Sequence, residues 1–150
     1  MMSIKLKICT VLLMTNTCQL VFAKDISGLW QSIDDQTGAP KGIVELKSDA
    51  NGIYTGTIKQ VTPRLGYTPK EFCVNCPAPY TGKAIVGLNA ITGLKKIKDS
   101  NYGGGKILDP NTGKIYNLKA RLSANGKRLQ LRGYIGISAL GRSQTWIRIE

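Results

Sequence analysis

Lys114-Ile115-Tyr116-Asn117-Leu118-Lys119-Ala120-Arg121-Leu122-Ser123, then Ala124-Asn125-Gly126-Lys127, then Arg128-Leu129-Gln130-Leu131-Arg132-Gly133-Tyr134-Ile135-Gly136 is the stretch that decides the fold. Tyr116, Leu118, Ala120 and Leu122 alternate with Asn117, Lys119 and Arg121. A period of two puts one set on a buried face and the other in solvent, the pattern of a strand. Leu129, Leu131 and Ile135 repeat it against Arg128, Gln130 and Arg132. Asn125-Gly126 between the two runs signals a tight hairpin, whose primed turn asks for positive φ at both central residues. Antiparallel β-structure follows.

The same reading extends in both directions. Upstream, Gly103-Gly104-Gly105 leads into Lys106-Ile107-Leu108, and Asp109-Pro110-Asn111-Thr112-Gly113 turns the chain. Downstream, Gly141-Arg142-Ser143-Gln144-Thr145-Trp146 reads as a closing strand. Near the start, Ser27 to Ile33 is a short strand, Asp34 to Gly38 a polar turn, and Ala39-Pro40 a break before Gly42 to Leu46. Asp49-Ala50-Asn51-Gly52 turns into a strand over Ile53 to Val61, with Tyr54, Gly56 and Ile58 on one face. Gly56 there marks a bulge or a sharp bend. Thr81 to Leu88 and Leu94 to Lys98 are weaker strand candidates, with a short helical turn near Asn89 as the alternative. The total is about eight or nine short strands, as expected of an all-β, small antiparallel up-and-down β-barrel or a sandwich.

The chain has 150 residues and a net charge of +12. Its first 23 carry Lys5 and Lys7, an apolar Ile8 to Leu13, and Leu20-Val21-Phe22-Ala23 before a cut, the layout of a secretory signal peptide. Thr15, Asn16, Thr17 and Gln19 interrupt an apolar run already too short to span a membrane. The same polar residues speak against a lipid anchor at Cys18. Residues 1–23 are therefore expected to be removed, leaving 24–150 as a single β-barrel domain, exported to the periplasm or secreted. That domain carries 19 basic and 9 acidic side chains, net +10. Such a charge favours anionic partners: lipid headgroups, polysaccharides or acidic proteins. Nucleic acid is disfavoured by compartment and by the few aromatics available for stacking. No transmembrane segment is expected in the mature protein.

Candidate chemistry is sparse. Cys73-Val74-Asn75-Cys76 sits in Thr62 to Tyr80, a loop that also holds four prolines. A redox dithiol there would want a following helix, and Pro77 and Pro79 follow instead. Zinc would need a third and fourth ligand, and with no histidine and no third cysteine after residue 23 such a site could form only between subunits. A disulfide between Cys73 and Cys76, bracing the loop, is the expectation for an exported protein. Gly103 to Lys106 lacks the spacing of a phosphate loop and leads into a strand. Asp109, Asn111 and Gly113 match a calcium loop only in part. Without histidine there is no Ser-His-Asp or Cys-His arrangement, and Asp34-Asp35 reads as a solvated turn. No catalytic residue, metal site or cofactor is expected. Lys119, Arg121, Arg128 and Arg132 form a basic stripe on paired polar faces, a solvated exterior or an anion-binding face.

Several segments together resemble a known family: Gly28-Leu29-Trp30, the Cys73/Cys76 pair, Gly104 to Pro110, Gly113 to Tyr116, Leu131 to Gly136 and Gly141 to Trp146. They are similar to the bacterial exported family called domain of unknown function 2147, and the resemblance covers essentially the whole mature chain. It implies a small periplasmic or secreted β-barrel, with no catalytic residues to carry over. Gly-x-Trp on the first strand is also similar to the calycin barrels, which include the lipocalins. That resemblance implies a barrel end closed by an arginine packed across the tryptophan, with Trp30 in the first role and Arg148, ahead of Arg142, in the second.

Two function classes remain. One is a non-catalytic barrel that binds a small lipophilic or amphipathic ligand, with an anionic head suited to the basic charge and Thr62 to Tyr80 as lid or rim. The other is a cell-envelope interaction protein with a packed core and a basic exterior. An eight-stranded barrel accommodates either interior.

Overall fold

The computed structural model describes residues 24–149. The signal peptide expected over residues 1–23 lies outside them. Eight strands follow in chain order: β1 (Gly28–Ile33), β2 (Pro40–Ser48), β3 (Ile53–Val61), β4 (Asn89–Lys98), β5 (Asn101–Leu108), β6 (Ile115–Leu122), β7 (Arg128–Tyr134) and β8 (Arg142–Arg148). Each pairs antiparallel with the next, and β8 returns to β1, so the sheet closes into an up-and-down barrel. Closure removes every free sheet edge. A single 3₁₀ turn, Ser138–Leu140, is the helical content among the described residues. No helix among them is long and apolar enough to cross a membrane.

Alternation places the inward residues. In β3, Tyr54, Gly56 and Ile58 are buried and their neighbours are not. In β6, Leu118, Ala120 and Leu122 face in, with Lys119 and Arg121 out. Gly56 faces Ile91 so closely that a Cβ would stand 2.8 Å from the Ile91 Cβ, and the β3–β4 register shifts there. The missing side chain lets the two strands bend together.

Five local expectations are corrected. Thr81 to Leu88 forms no strand, only a bridge between Phe72 and Ala84. β4 begins at Asn89 instead, and the helical turn considered there is extended. Ala90 and Ile91 are both buried, a break in alternation that hides the strand's start. Pro40 opens β2 rather than ending the turn before it, where its pairing with Ile33 meets a register shift and a missing N–H does little harm. At Asn125-Gly126 only Gly126 has positive φ. Gly126 N donates to the Ser123 carbonyl at 2.8 Å, and Asn125 Oδ1 accepts from Lys127 N at 3.0 Å, so a longer side-chain-braced turn replaces the two-residue one. Ile135, finally, lies beyond β7 and is 66% exposed.

Candidate functional site

Strand directions sort the connections onto two ends. The 24–27 lead, 49–52, 99–100 and 123–127 lie at one end; 34–39, 62–88, 109–114 and 135–141 lie at the other.

The first end is closed. Trp30 is fully buried, its Nε1 donates to the Ile26 carbonyl at 2.9 Å, and the Arg148 guanidinium stacks on its ring at 4.3 Å. Arg148 also donates to the carbonyls of Gly126, Ser27 and Asp25, tying the lead segment to the 123–127 turn. Burial lowers the Arg148 pKa. Tyr54 donates to Asp25 Oδ2 at 3.0 Å and meets Tyr102 edge to face. Burial, with that acidic partner, raises the Tyr54 pKa strongly. Above this plug Leu46, Leu94, Ala120, Leu122 and Leu129 pack into one apolar cluster. This half of the barrel is solid.

The other half is hollow. A cavity of about 470 Å³ opens there. Val44, Ile91, Leu118, Leu131 and Trp146 border it toward the packed half, and Ile58, Ala90, Ile107 and Tyr116 add to its walls. Lys41, Arg64, Lys70 and Arg142 line it as cations. On one face of β8, Arg142 lines the cavity at the mouth and Gln144 and Trp146 below it, while Arg148 belongs to the closed end. Six residues at ~3.3 Å each separate the two arginines by about 20 Å.

The charges at the mouth are unequally satisfied. Asp109 also lines the cavity, but its oxygens accept from Asn111 N at 3.0 Å and Thr112 Oγ1 at 2.9 Å in its own turn. Asp34-Asp35-Gln36-Thr37-Gly38 repeats the Asp-x-x-Thr-Gly form of Asp109 to Gly113, and in both turns the glycine N–H donates to the aspartate carbonyl at 2.8 Å. Backbone hydrogen bonds from Thr37 and Gln36 hold the Asp34 carboxyl below its usual pKa. Arg142 pairs with Asp35 at 3.2 Å. Arg64 has no ion pair among the described residues: its guanidinium stacks on Tyr67 at 4.1 Å and its enclosed Nη1 has no hydrogen-bond partner. A buried N–H without an acceptor is costly, and Tyr102 Oη at the closed end is likewise without a partner among the described residues.

The 62–88 connection brings Arg64, Tyr67 and Lys70 to the mouth and is firmly anchored. Tyr67 Oη donates to Asn111 Oδ1 at 2.7 Å, and Lys70 Nζ to the Asn111 carbonyl at 3.2 Å. Cys73 and Cys76 are joined by a disulfide and buried in a second apolar cluster with Ile58, Ile85, Leu88 and Leu108. The bridge lies on the β5–β6 turn. Gly113 there has φ +75°, and a Cβ on it would sit 1.9 Å from the Asn75 carbonyl oxygen.

The remaining sequence candidates lie apart. Lys119 and Arg132 are register partners on the β6–β7 exterior, but Arg132 is engaged by Ser138, Ala139 and Ser143, which fix the 135–141 loop. Gly103 to Gly105 lie within β5 and form no anion loop. Among the described residues no three His, Cys, Asp or Glu side chains cluster as metal ligands. The inward position of Tyr116 was readable from the β6 alternation, as was that of Gln144 from its spacing to Trp146. Arg64 and Lys70 carried no signal beyond their place in a proline-rich loop.

The family model described as "Uncharacterized protein conserved in bacteria (DUF2147)" matches residues 28–148. No curated protein matches the chain in sequence. Among solved structures, the barrel is similar to protein HP1028 from Helicobacter pylori, described as belonging to the lipocalin family. That likeness has a TM-score of 0.69 at 22% identity and covers 84% of each chain. At that identity it speaks to the fold.

Proposed function

The chain belongs to the DUF2147 family of bacterial proteins, and on that footing we propose that it is an exported, non-catalytic carrier of one small amphipathic molecule, apolar tail inward and anionic head at the mouth. One observation carries this reading: a cavity with apolar inner walls and a polar mouth that presents Arg64 with an enclosed, unpartnered Nη1. The cavity volume falls within the roughly 300–1,000 Å³ of small-molecule sites, which are mostly apolar with a few placed polar groups. Lys41 and Lys70 add positive charge, while the one acid lining the cavity, Asp109, spends its oxygens on its own turn. A charge-assisted pair with a carboxylate or phosphate would satisfy Arg64.

Export is supported by the leader-like first 23 residues and by the Cys73–Cys76 bridge, which suits an oxidising compartment. The non-catalytic part of the reading rests on the lack of histidine and of any assembled nucleophile at the cavity. The packed-core reading of an envelope interaction protein loses support from the hollow half.

Titration of delipidated protein with a fluorescent long-chain fatty acid tests the proposal. Saturable one-to-one binding is expected, together with a co-purifying small molecule in native mass spectrometry. Absence of both would replace the carrier with the interaction protein.

A further inference from the structure

Most of the large apolar side chains left in solvent gather at one end of the barrel; Ile97 near the end of β4 and Ile149 after β8 are the exceptions. Leu65, Phe72 and Val74 belong to the 62–88 connection, and Ile135, Ile137 and Leu140 to the 135–141 loop. Both connections lie at the open end. The closed-end turns 49–52, 99–100 and 123–127 hold no exposed large apolar residue, and that end has only Ile97 and Ile149 beside them. Leu65 is fully exposed beside Arg64, whereas Ile135 and Leu140 also line the cavity. The apolar rim thus adjoins the cavity mouth. Exposed apolar groups collected in one place mark a contact surface, whereas single scattered ones do not.

Charge favours an anionic partner. Exposed Lys70, Lys83 and Lys114 stand at the same end as exposed Asp35 and Glu71, and Asp35 is already paired with Arg142, so the balance there remains positive. The apolar side chains occupy separate loops around a hollow rather than one flat patch, and cations lie between them. That arrangement suits shallow insertion among headgroups, where apolar burial and attraction to anionic lipid add together. We propose that the open end docks on an anionic lipid bilayer, with Leu65, Ile137 and Leu140 entering the headgroup layer, and that the cavity loads and unloads there. The loading step rests on the carrier reading above; the docking itself does not.

The test is vesicle flotation of protein expressed from the full-length chain and purified, with phosphatidylglycerol–phosphatidylcholine vesicles and with phosphatidylcholine alone. Leu65→Ser/Ile137→Ser is the comparison, since both residues are exposed, neither lines the cavity, and no charge is added beside Arg64. Wild type should float with the anionic vesicles and at least ten-fold less with the neutral ones. The double variant should lose at least ten-fold while keeping its melting temperature and its affinity for the soluble fatty-acid probe. Failure of wild type to float, or equal flotation of the variant, overturns the docking surface. A dimer that the double variant abolishes, with no flotation, assigns the rim to a second copy and also overturns it. Flotation without any probe binding would remove the carrier and leave the docking surface standing.

Discussion

Trp30 and Arg148 are cross-strand partners at the seam where β8 meets β1, with the guanidinium carbon 4.3 Å from the indole centroid. The pair closes the barrel twice over: in register, and as a plug stacked across its end. Trp30→Ala removes a fully buried ring from this plug and should cost about 3–5 kcal/mol. Arg148→Ala strips hydrogen bonds from three carbonyls and should cost about 3 kcal/mol, since each unsatisfied buried acceptor is worth ~1–3 kcal/mol and such losses do not simply add. Urea unfolding measures both. A wild-type midpoint for either variant would show that the closed end is not held by this pair.

Tyr54 sits in the same plug with its pKa raised by burial and by Asp25. The folded state therefore holds the phenolic proton more tightly than the unfolded chain does. The stabilisation is complete below the ordinary tyrosine pKa of about 10 and falls as pH rises beyond it. Tyr102, raised first by burial, acts in the same direction. Stability measured from pH 8 to 11.5 should be level and then decline, and Tyr54→Phe should make the decline shallower. A Tyr54→Phe slope equal to wild type would assign the alkaline loss elsewhere.

Reduction of the Cys73–Cys76 bridge should leave the barrel folded. The closed loop is so short that chain entropy assigns it about 2 kcal/mol or less. Melting with and without reductant reads this directly, alongside a thiol count of native protein, expected to be zero before reduction. A barrel that unfolds on reduction would mean that the bridge holds far more than its own loop.

Arg64→Ala should weaken a long-chain fatty acid by about 10- to 100-fold, the ~1.5–3 kcal/mol of a hydrogen bond to a charged group. The corresponding fatty alcohol should change far less. Competition against the fluorescent probe gives both affinities. Equal losses for acid and alcohol would place Arg64 in the wall rather than at the headgroup.

N-terminal sequencing of protein recovered from its own cell envelope should begin at Lys24. A start at Met1, or at a lipidated Cys18, would contradict export by cleavage after Ala23.

Much of the barrel was legible in local chemistry. Side-chain alternation in Tyr54 to Ile58, Leu118 to Leu122 and Leu129 to Leu131 follows from the strand's period of two, and it marks the inward face without reference to any neighbour. The turn at Asp109 to Gly113 is likewise built from its own side chains. β4 was harder to read, because buried Ala90-Ile91 breaks the alternation where the register with β3 shifts. Alternation also places Arg142 and Arg148 on one strand face; the resemblance to calycin barrels, not alternation, singled out Arg148 for Trp30. The pairing itself was decided by closure of β8 on β1, which sets Arg148 at the plug and sends Arg142 to Asp35 at the mouth. The cavity was decided in the same way. Its volume is what remains between side chains from strands far apart in the chain, and Arg64 reaches it only because Asn111 and the β5–β6 turn hold its loop in place. Period and turn chemistry are properties of a few consecutive residues; an unfilled interior is a property of all eight strands at once.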